Sequence, residues 1–140
     1  MLRSPSSIRF QLAGSILLVF LAAGCGTRLV YPVSGQIVDK EGKPVTGIKG
    51  GAVEFESLDH QASANGAIDE DGKFRLTTLT PGDGAHLGKN RVLITRPYFG
   101  PEQPAPHVIH PKYQKYQTSG LVVEVEPKNN QITLTVDLAK

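Results

Sequence analysis

The residue types best suited to ligand recognition are concentrated in one stretch, residues 97–119, which also carries five prolines. Six of its side chains have rings that could contact a ligand: Tyr98, Phe99, His107, His110, Tyr113 and Tyr116. Aromatic rings on a loop could stack against a sugar or a peptide, because loops on rigid scaffolds commonly carry recognition. A long ordered loop also needs buried side chains of its own. The sequence therefore leaves two interpretations open, a binding surface or a small core within the loop.

The spacing His107-x-x-His110 brings two imidazoles near each other, which raises the question of a metal site. Zinc sites use three or four protein ligands, and the only cysteine has another use, argued below. His60 and His86 are distant in sequence, and no pattern predicts that they meet. We therefore predict solvated loop histidines, with weak incidental metal binding as the alternative, and no metal site or other cofactor.

The acidic run Asp69-Glu70-Asp71-Gly72 is spaced like the start of a calcium-binding loop. Such a loop needs further oxygen ligands and a glutamate at its twelfth position, which here is occupied by Thr80. Aspartate and glycine are also the residues that tight turns prefer, because Asp can bond to its own backbone and Gly permits positive φ. The run therefore predicts a turn between strands.

Catalysis has little support in the sequence. Serines, histidines and acids are present, but neither a Gly-x-Ser-x-Gly elbow nor a His-Glu-x-x-His motif occurs. We therefore expect a non-catalytic protein, with a hydrolase as the alternative.

The first 24 residues have the pattern of a secretory signal peptide. Arg3 and Arg9 supply positive charge without any acid, and an apolar segment, residues 16–23, leads to Gly24 and Cys25. This segment is short for a membrane-spanning helix, which needs about 20 residues. The pattern predicts an exported protein from which residues 1–24 are removed, with an uncleaved membrane anchor as the alternative.

Cys25 is the only cysteine, so an exported domain has no internal disulfide. The run Leu21-Ala22-Ala23-Gly24-Cys25 resembles the bacterial lipobox, which implies that lipid is attached to Cys25 and that cleavage occurs directly before it. Each buried methylene contributes about 0.8 kcal/mol, so two or three acyl chains anchor a protein stably where one does not. Residues 25–30 are then a lipidated tether, and the protein faces the periplasm or the cell surface. A plain signal with an incidental cysteine is the alternative.

Downstream of the tether, hydrophobic alternation predicts about seven strands: residues 31–39, 52–58, 61–69, 74–79, 89–96, 121–126 and 132–138. Val53 and Phe55 are predicted to point inward, and residues 80–88 to form an exposed loop. Asn65-Gly66 is either a tight turn or a bulge. The last two strands are expected to pair as a hairpin across residues 127–130. Regular turn signals without a helical period predict an all-β fold, an antiparallel Greek-key sandwich formed by residues 31–140.

Composition agrees with one small all-β domain and excludes one class of partner. The 140 residues include 15 glycines and 10 prolines, which indicates many turns. Removal of residues 1–24 takes away Arg3 and Arg9, leaving 13 basic side chains against 13 acidic ones. A formally neutral mature surface argues against nucleic-acid binding, which depends on clustered positive charge.

Several motifs resemble those of a bacterial lipoprotein family that carries a carboxypeptidase regulatory-like, or transthyretin-like (prealbumin-like), domain. They are Tyr31-Pro32-Val33-Ser34-Gly35-x-Ile37, Gly42-Lys43-Pro44-Val45-x-Gly47, Val53-x-Phe55, Asp71-Gly72-Lys73-Phe74-x-Leu76, Pro81-Gly82-Asp83-Gly84, and a later run from Pro111 to Val125. The resemblance implies a seven-stranded sandwich on a lipid anchor and no defined reaction. An enzyme branch with this fold hydrolyses hydroxyisourate, but its Tyr-Arg-Gly-Ser C-terminus is replaced here by Val136-Asp137-Leu138-Ala139-Lys140.

Two functional hypotheses follow. The first is a non-catalytic, lipid-anchored envelope protein that presents a β-sandwich for structural or protein-interaction roles, with the membrane and an envelope protein as partners. The second is a carbohydrate- or peptide-binding module that uses residues 97–119, with a glycan or a peptide as partner.

Overall fold

The computed structural model of the protein describes residues 26–140. The predicted signal peptide and Cys25 lie outside the described residues. Within residues 26–140, no helix has both the length and the apolar character needed to cross a membrane.

Strands are the main regular structure of the described chain, as predicted. Its elements are β1 Val30–Tyr31, β2 Val33–Val38, β3 Ala52–Ser57, β4 Ser63–Ala67, β5 Lys73–Arg75, β6 Ala85–His86, β7 Gly88–Thr95, a 3-10 helix Pro111–Gln114, α1 Tyr116–Ser119, β8 Leu121–Val125 and β9 Asn130–Thr135. The two short helices fall in the stretch for which no regular structure was predicted. Proline is favoured at the start of a helix, as at Pro111, because its fixed φ suits the helical backbone. Its missing N–H is not needed there, since the first N–H groups of a helix have no partner within it.

Two sheets form the sandwich. One has the order β4-β3-β7-β8 and the other the order β5-β2-β9, while β1 and β6 form a separate short pair. The seven strands of the two main sheets match the predicted number, and the all-β sandwich is confirmed. Every pair is antiparallel except β2 with β9, which run parallel.

The core lies between the two sheets and comes from the predicted alternation. Val53 and Phe55 on β3 are fully buried, whereas the intervening Glu54 and Glu56 are half-buried on the outer face. Across the core the Phe55 ring meets that of Phe74, with centroids 6.4 Å apart and planes tilted by 51°. Tilted pairs of this kind are a favourable aromatic geometry.

The predicted hairpin between the last two strands is wrong. Strand β8 pairs with β7, whereas β9 pairs with β2 in the opposite sheet. The turn between β8 and β9 therefore crosses from one sheet to the other. Asn130 fixes this crossing, since its side chain accepts from Glu126 N–H (2.9 Å) and donates to the carbonyls of Lys128 (2.7 Å) and Pro32 (3.2 Å).

The acidic run at Asp69 is a turn, as predicted, and the turn at Asp39 has the same hydrogen bonding. The Asp69 carboxylate accepts from the backbone N–H groups of Asp71 (2.9 Å) and Lys73 (2.8 Å). Asp39 makes the same two bonds with Glu41 and Lys43, both at 2.9 Å. In each turn the aspartate is occupied by the backbone two and four residues on, as in an Asx turn.

Asn65-Gly66 is neither a turn nor a bulge. Both residues continue β4 in regular register, with Asn65 opposite Glu54 and Gly66 opposite Val53. A Cβ at Gly66 would lie 2.3 Å from the carbonyl oxygen of Arg75. Glycine is therefore required here, because the backbone at the end of β5 passes directly over β4.

The segment after β5 differs from the predicted strand and loop. The strand ends at Arg75, and Leu79, which was predicted to lie in it, is 88% exposed. The Asp83 carboxylate stabilises the loop that follows β5. It accepts from the N–H groups of Thr78 (2.7 Å), Leu79 (3.0 Å) and Thr80 (2.9 Å). The predicted exposed loop at residues 80–88 is only partly exposed, since Ala85 is buried and β6 pairs with β1.

The two ends of the sandwich carry different loops. We call the end at which β2 begins the N-terminal end, and it holds residues 26–32 and the loops 58–62, 76–84 and 126–129. The other end, which we call the C-terminal end, holds the turn 39–43, the loop 96–110 and residues 136–140. The six residues of β2 separate the two ends by about 20 Å.

Candidate functional site

A surface cleft of about 750 Å³ lies at the C-terminal end. Its walls come from the Asp39 turn, from the region between His107 and Lys112, and from residues 136–140. Three separate parts of the chain thus meet around one concave surface, which is the usual form of a ligand site.

Two backbone hydrogen bonds join the segments 108–110 and 137–139, which form part of the cleft. His110 N–H donates to the Asp137 carbonyl (2.9 Å), and Ala139 N–H donates to the Val108 carbonyl (2.9 Å). Between these bonds Ile109 is 2% exposed and packs in the core. Burial of Ile109 directs the adjacent His110 outward, and His107, two residues earlier, is exposed as well, so both histidines line the cleft.

Asp137 is the electrostatic centre of the cleft. Its carboxylate forms ion pairs with Lys112 and with Lys40 (2.5 Å), and the Tyr113 hydroxyl lies 3.3 Å away. The hydrogen bond from Lys112, followed by that from Lys40, holds the pKa of Asp137 well below its usual range. The same contacts raise the pKa of both lysines, so all three groups are charged at neutral pH.

The polar wall of the cleft is rich in hydrogen-bond donors. Each lysine ammonium has three N–H donors, and the bond to Asp137 uses one of them. The His110 Nδ1 accepts from Lys112 N–H (3.1 Å), so a neutral His110 carries its proton on Nε2, where it can donate. The half-exposed Leu138 and Pro111 supply apolar surface beside these donors. The cleft is therefore suited to a ligand with carbonyl, carboxylate or hydroxyl oxygens.

A second, smaller cleft of about 470 Å³ lies on the other side of the proline-rich loop. Tyr98 and several prolines line it. Arg96 lies at the boundary of the two clefts, where its guanidinium donates to the Ala105 carbonyl (3.4 Å) and to a ring nitrogen of His107 (2.9 Å). Arg96 thus fixes the loop between the two concave surfaces.

The structure divides the four predicted aromatic contacts into two groups. Tyr98 and Phe99 are 80% and 55% exposed. Tyr113 is buried in the core, and its hydroxyl accepts from Asp137 N–H (2.9 Å). The two interpretations of this stretch therefore apply to different residues, since Tyr98 and Phe99 are free to bind whereas Tyr113 forms the loop's own core.

Tyr116 also has a structural role. It lies on α1, half-buried against the outer face of the four-stranded sheet, and its hydroxyl donates to Glu54 (2.8 Å). The Arg91 guanidinium lies 5.0 Å from its ring centroid and pairs with Glu56. Burial and the bond to Glu54 raise the pKa of Tyr116, which keeps the hydroxyl protonated as a donor.

One pair of chemically active side chains was not predicted. His60 and His86 meet at the N-terminal end, with ring centroids 5.3 Å apart. Burial and the neighbouring His60 lower the pKa of His86, with Asp83 opposing them. The contact depends on pairing of β6 with β1, which no local pattern reveals. Among residues 26–140, no three His, Cys, Asp or Glu side chains are grouped so as to hold a metal ion.

Comparison with known proteins finds no matching family model, no similar curated protein and no similar solved structure.

Proposed function

We propose that this chain is a non-catalytic, lipid-anchored cell-envelope protein whose sandwich presents the C-terminal end to bind a peptide or a glycan. The observation that carries the proposal is the cleft of about 750 Å³, because it contains His107 and His110 together with the Lys40–Asp137–Lys112 ion pairs.

The bonding within the cleft supports binding over catalysis. His110 Nδ1 accepts a backbone N–H and His107 accepts from Arg96, so each ring is oriented by the protein. Asp137 is held as a carboxylate between two cations and serves to position the lysines. Among residues 26–140, the side chains that line the cleft include no Ser, Thr or Cys to act as a nucleophile beside these rings.

The positions of the two ends support an anchored role. Cys25 directly precedes the residues of the N-terminal end, and the cleft lies at the opposite end, about 20 Å away along β2. A protein anchored through Cys25 would hold the cleft away from the bilayer, where a partner can reach it. The resemblance to lipoproteins with carboxypeptidase regulatory-like domains supports the same proposal and stays a prediction.

The anchor is tested by the intact mass of the full-length gene product extracted from the membrane fraction. We expect the mass of residues 25–140 plus acyl chains. A Cys25→Ser variant is the matched control and should lose both the acyl mass and the membrane association. The anchor is rejected if the unmodified protein shows the mass of the full chain, or if it is soluble without added mass.

Binding is tested on glycan and peptide arrays with the extracted protein. We expect binding that is lost in His110→Ala, for the larger cleft, or in Tyr98→Ala, for the smaller one, because both side chains are exposed and can be removed without opening the core. His60→Ala is a control at the opposite end of the molecule. Binding that is unchanged in both cleft variants, or lost equally in the control, would reject this surface.

A further inference from the structure

Large apolar side chains project from the N-terminal end on three separate segments. Leu29, Leu58 and Leu79 are 43%, 52% and 88% exposed. Single exposed leucines are ordinary on soluble proteins. These three differ because all of them lie at the end from which the chain leads back to Cys25.

Backbone contacts bring the three segments together. The Leu29 carbonyl accepts from Leu87 N–H (2.8 Å), and Leu58 N–H donates to the Lys89 carbonyl (3.0 Å). Residues 87 and 89 are neighbours at the start of β7, so both leucines flank the same point. The loop 76–84, which carries Leu79, leads directly into β6, whose Ala85 pairs with Tyr31, two residues after Leu29.

Hydrogen bonds to Asp83 fix the backbone of the loop that carries Leu79 and leave this side chain exposed to solvent. Asp83 binds the N–H groups of Thr78, Leu79 and Thr80, so the backbone of Leu79 is fixed while its side chain points outward. Burial raises the pKa of Asp83, but these hydrogen bonds outweigh it and lower the pKa, so the carboxylate is charged at neutral pH.

The length of the tether limits how far this end can be from an anchored lipid. Leu29 is four residues after Cys25, and its carbonyl is already bonded to Leu87. Four extended residues span at most about 14 Å. With acyl chains on Cys25, the three leucines would therefore remain within reach of the bilayer. The tether gives them a high effective concentration at the membrane surface, which favours even a weak contact between leucine and lipid.

We propose that the N-terminal end docks on the membrane, with Leu29, Leu58 and Leu79 entering the interface between headgroups and acyl chains. The inference rests on the proposed anchor at Cys25 and adds an orientation, since docking would turn the C-terminal cleft toward the aqueous side.

The charges at this end indicate which lipid it needs. Lys128 pairs with Glu126 (2.5 Å), and Lys89 lies opposite Glu124 in the β7–β8 register. Arg28 and Arg75 also lie at this end, together with Asp59 and Asp83, so acidic and basic groups are balanced. Docking therefore depends on apolar contact and requires no anionic lipid. Zwitterionic phosphatidylcholine vesicles are therefore an adequate probe.

The chain contains no tryptophan, so a single introduced one reports its own surroundings. We would purify the full-length gene product from membranes as Leu79→Trp and reconstitute it in phosphatidylcholine vesicles with or without brominated acyl chains, which quench nearby indoles. Tyr98→Trp is the matched control, since residue 98 is 80% exposed at the opposite end. We expect Leu79→Trp to lose fluorescence in brominated vesicles and to emit at shorter wavelength, whereas Tyr98→Trp does neither.

Leu58→Trp gives a second probe at the N-terminal end if Leu79→Trp does not fold. Equal quenching of the probes at both ends, with acyl mass present on Cys25, overturns docking and leaves the anchor intact. A shift to shorter wavelength without bromine quenching means that protein covers the leucines, as in a dimer, and also overturns docking. A preparation without acyl mass on Cys25 rejects both the anchor and the docking.

Discussion

At the scale of single residues, several side chains that look suited to chemistry are used to hold the fold. Tyr113 bonds to the backbone of Asp137, and Tyr116 joins α1 to the outer face of the four-stranded sheet. A sequence shows that a tyrosine is present, but the partner of its hydroxyl comes from distant segments. Tyr98 and His110 are therefore better candidates for recognition than the tyrosines nearest the helices.

His86 is expected to make the stability of the protein depend on pH. Its folded-state pKa lies below the ordinary value of 6.5, so the unfolded chain binds more protons as pH falls through this value. Stability should therefore be highest above pH 6.5 and should decrease as the solution becomes more acidic, because protonation places positive charge beside His60 in a partly buried site. Urea unfolding at pH 7.5 and 5.5 measures the effect.

His86→Gln should reduce this pH dependence, since Asp83 and His60 then face a neutral group. Asn129→Ala, at an exposed position without a titratable group, is the control and should keep the wild-type dependence. An unchanged slope in His86→Gln would mean that other groups titrate over this range.

At the scale of elements, the connection between β8 and β9 depends on one side chain. Asn130 is 4% exposed and bonds with backbone groups of Glu126, Lys128 and Pro32. Asn130→Ala removes these side-chain bonds, each of which contributes about 1 kcal/mol, and we expect a loss of about 2–3 kcal/mol in the free energy of unfolding. Urea denaturation measures it, with the exposed neighbour as control, because Asn129→Ala should change stability by less than about 0.5 kcal/mol.

The same connection shows the limit of prediction from sequence. Val53 and Phe55 were placed correctly because alternation reports which face of a strand is buried. Two alternating strands joined by a short turn give the same pattern whether they pair in one sheet or face each other across a core. The hairpin predicted at residues 127–130 was wrong for this reason, and the bonds of Asn130 decide the outcome.

The sequence predicted the region of the candidate site but not the full set of residues that form it. The aromatic residues and prolines pointed to residues 97–119, and within this stretch His107 and His110 line the larger cleft. Lys40 and Asp137 were missed, because they come from a turn and from the C-terminal residues, which only the folded chain brings together. No pattern in the sequence links these two positions.

At the scale of the whole molecule, the two sheets are joined by the core around Phe55. Its side chain is fully buried and meets Phe74 from the other sheet. Phe55→Ala should lower the free energy of unfolding by about 3–5 kcal/mol, because it removes buried contacts and leaves a cavity. Phe99→Ala is the matched control at an exposed position, and a loss below about 1 kcal/mol in Phe55→Ala would show that the ring is outside the core.

The parallel pairing of β2 with β9 has a consequence for the order of events during synthesis. The first long strand of the domain lies between β5 and the last strand, so the three-stranded sheet is incomplete until the C-terminal residues have been made. Contacts this distant along the chain form late and slow the folding reaction. Circular dichroism of a chain that stops before Asn130 should therefore show an unfolded polypeptide. In the proposed export, a nascent chain that cannot yet close its fold would remain unfolded, as passage through a narrow channel requires.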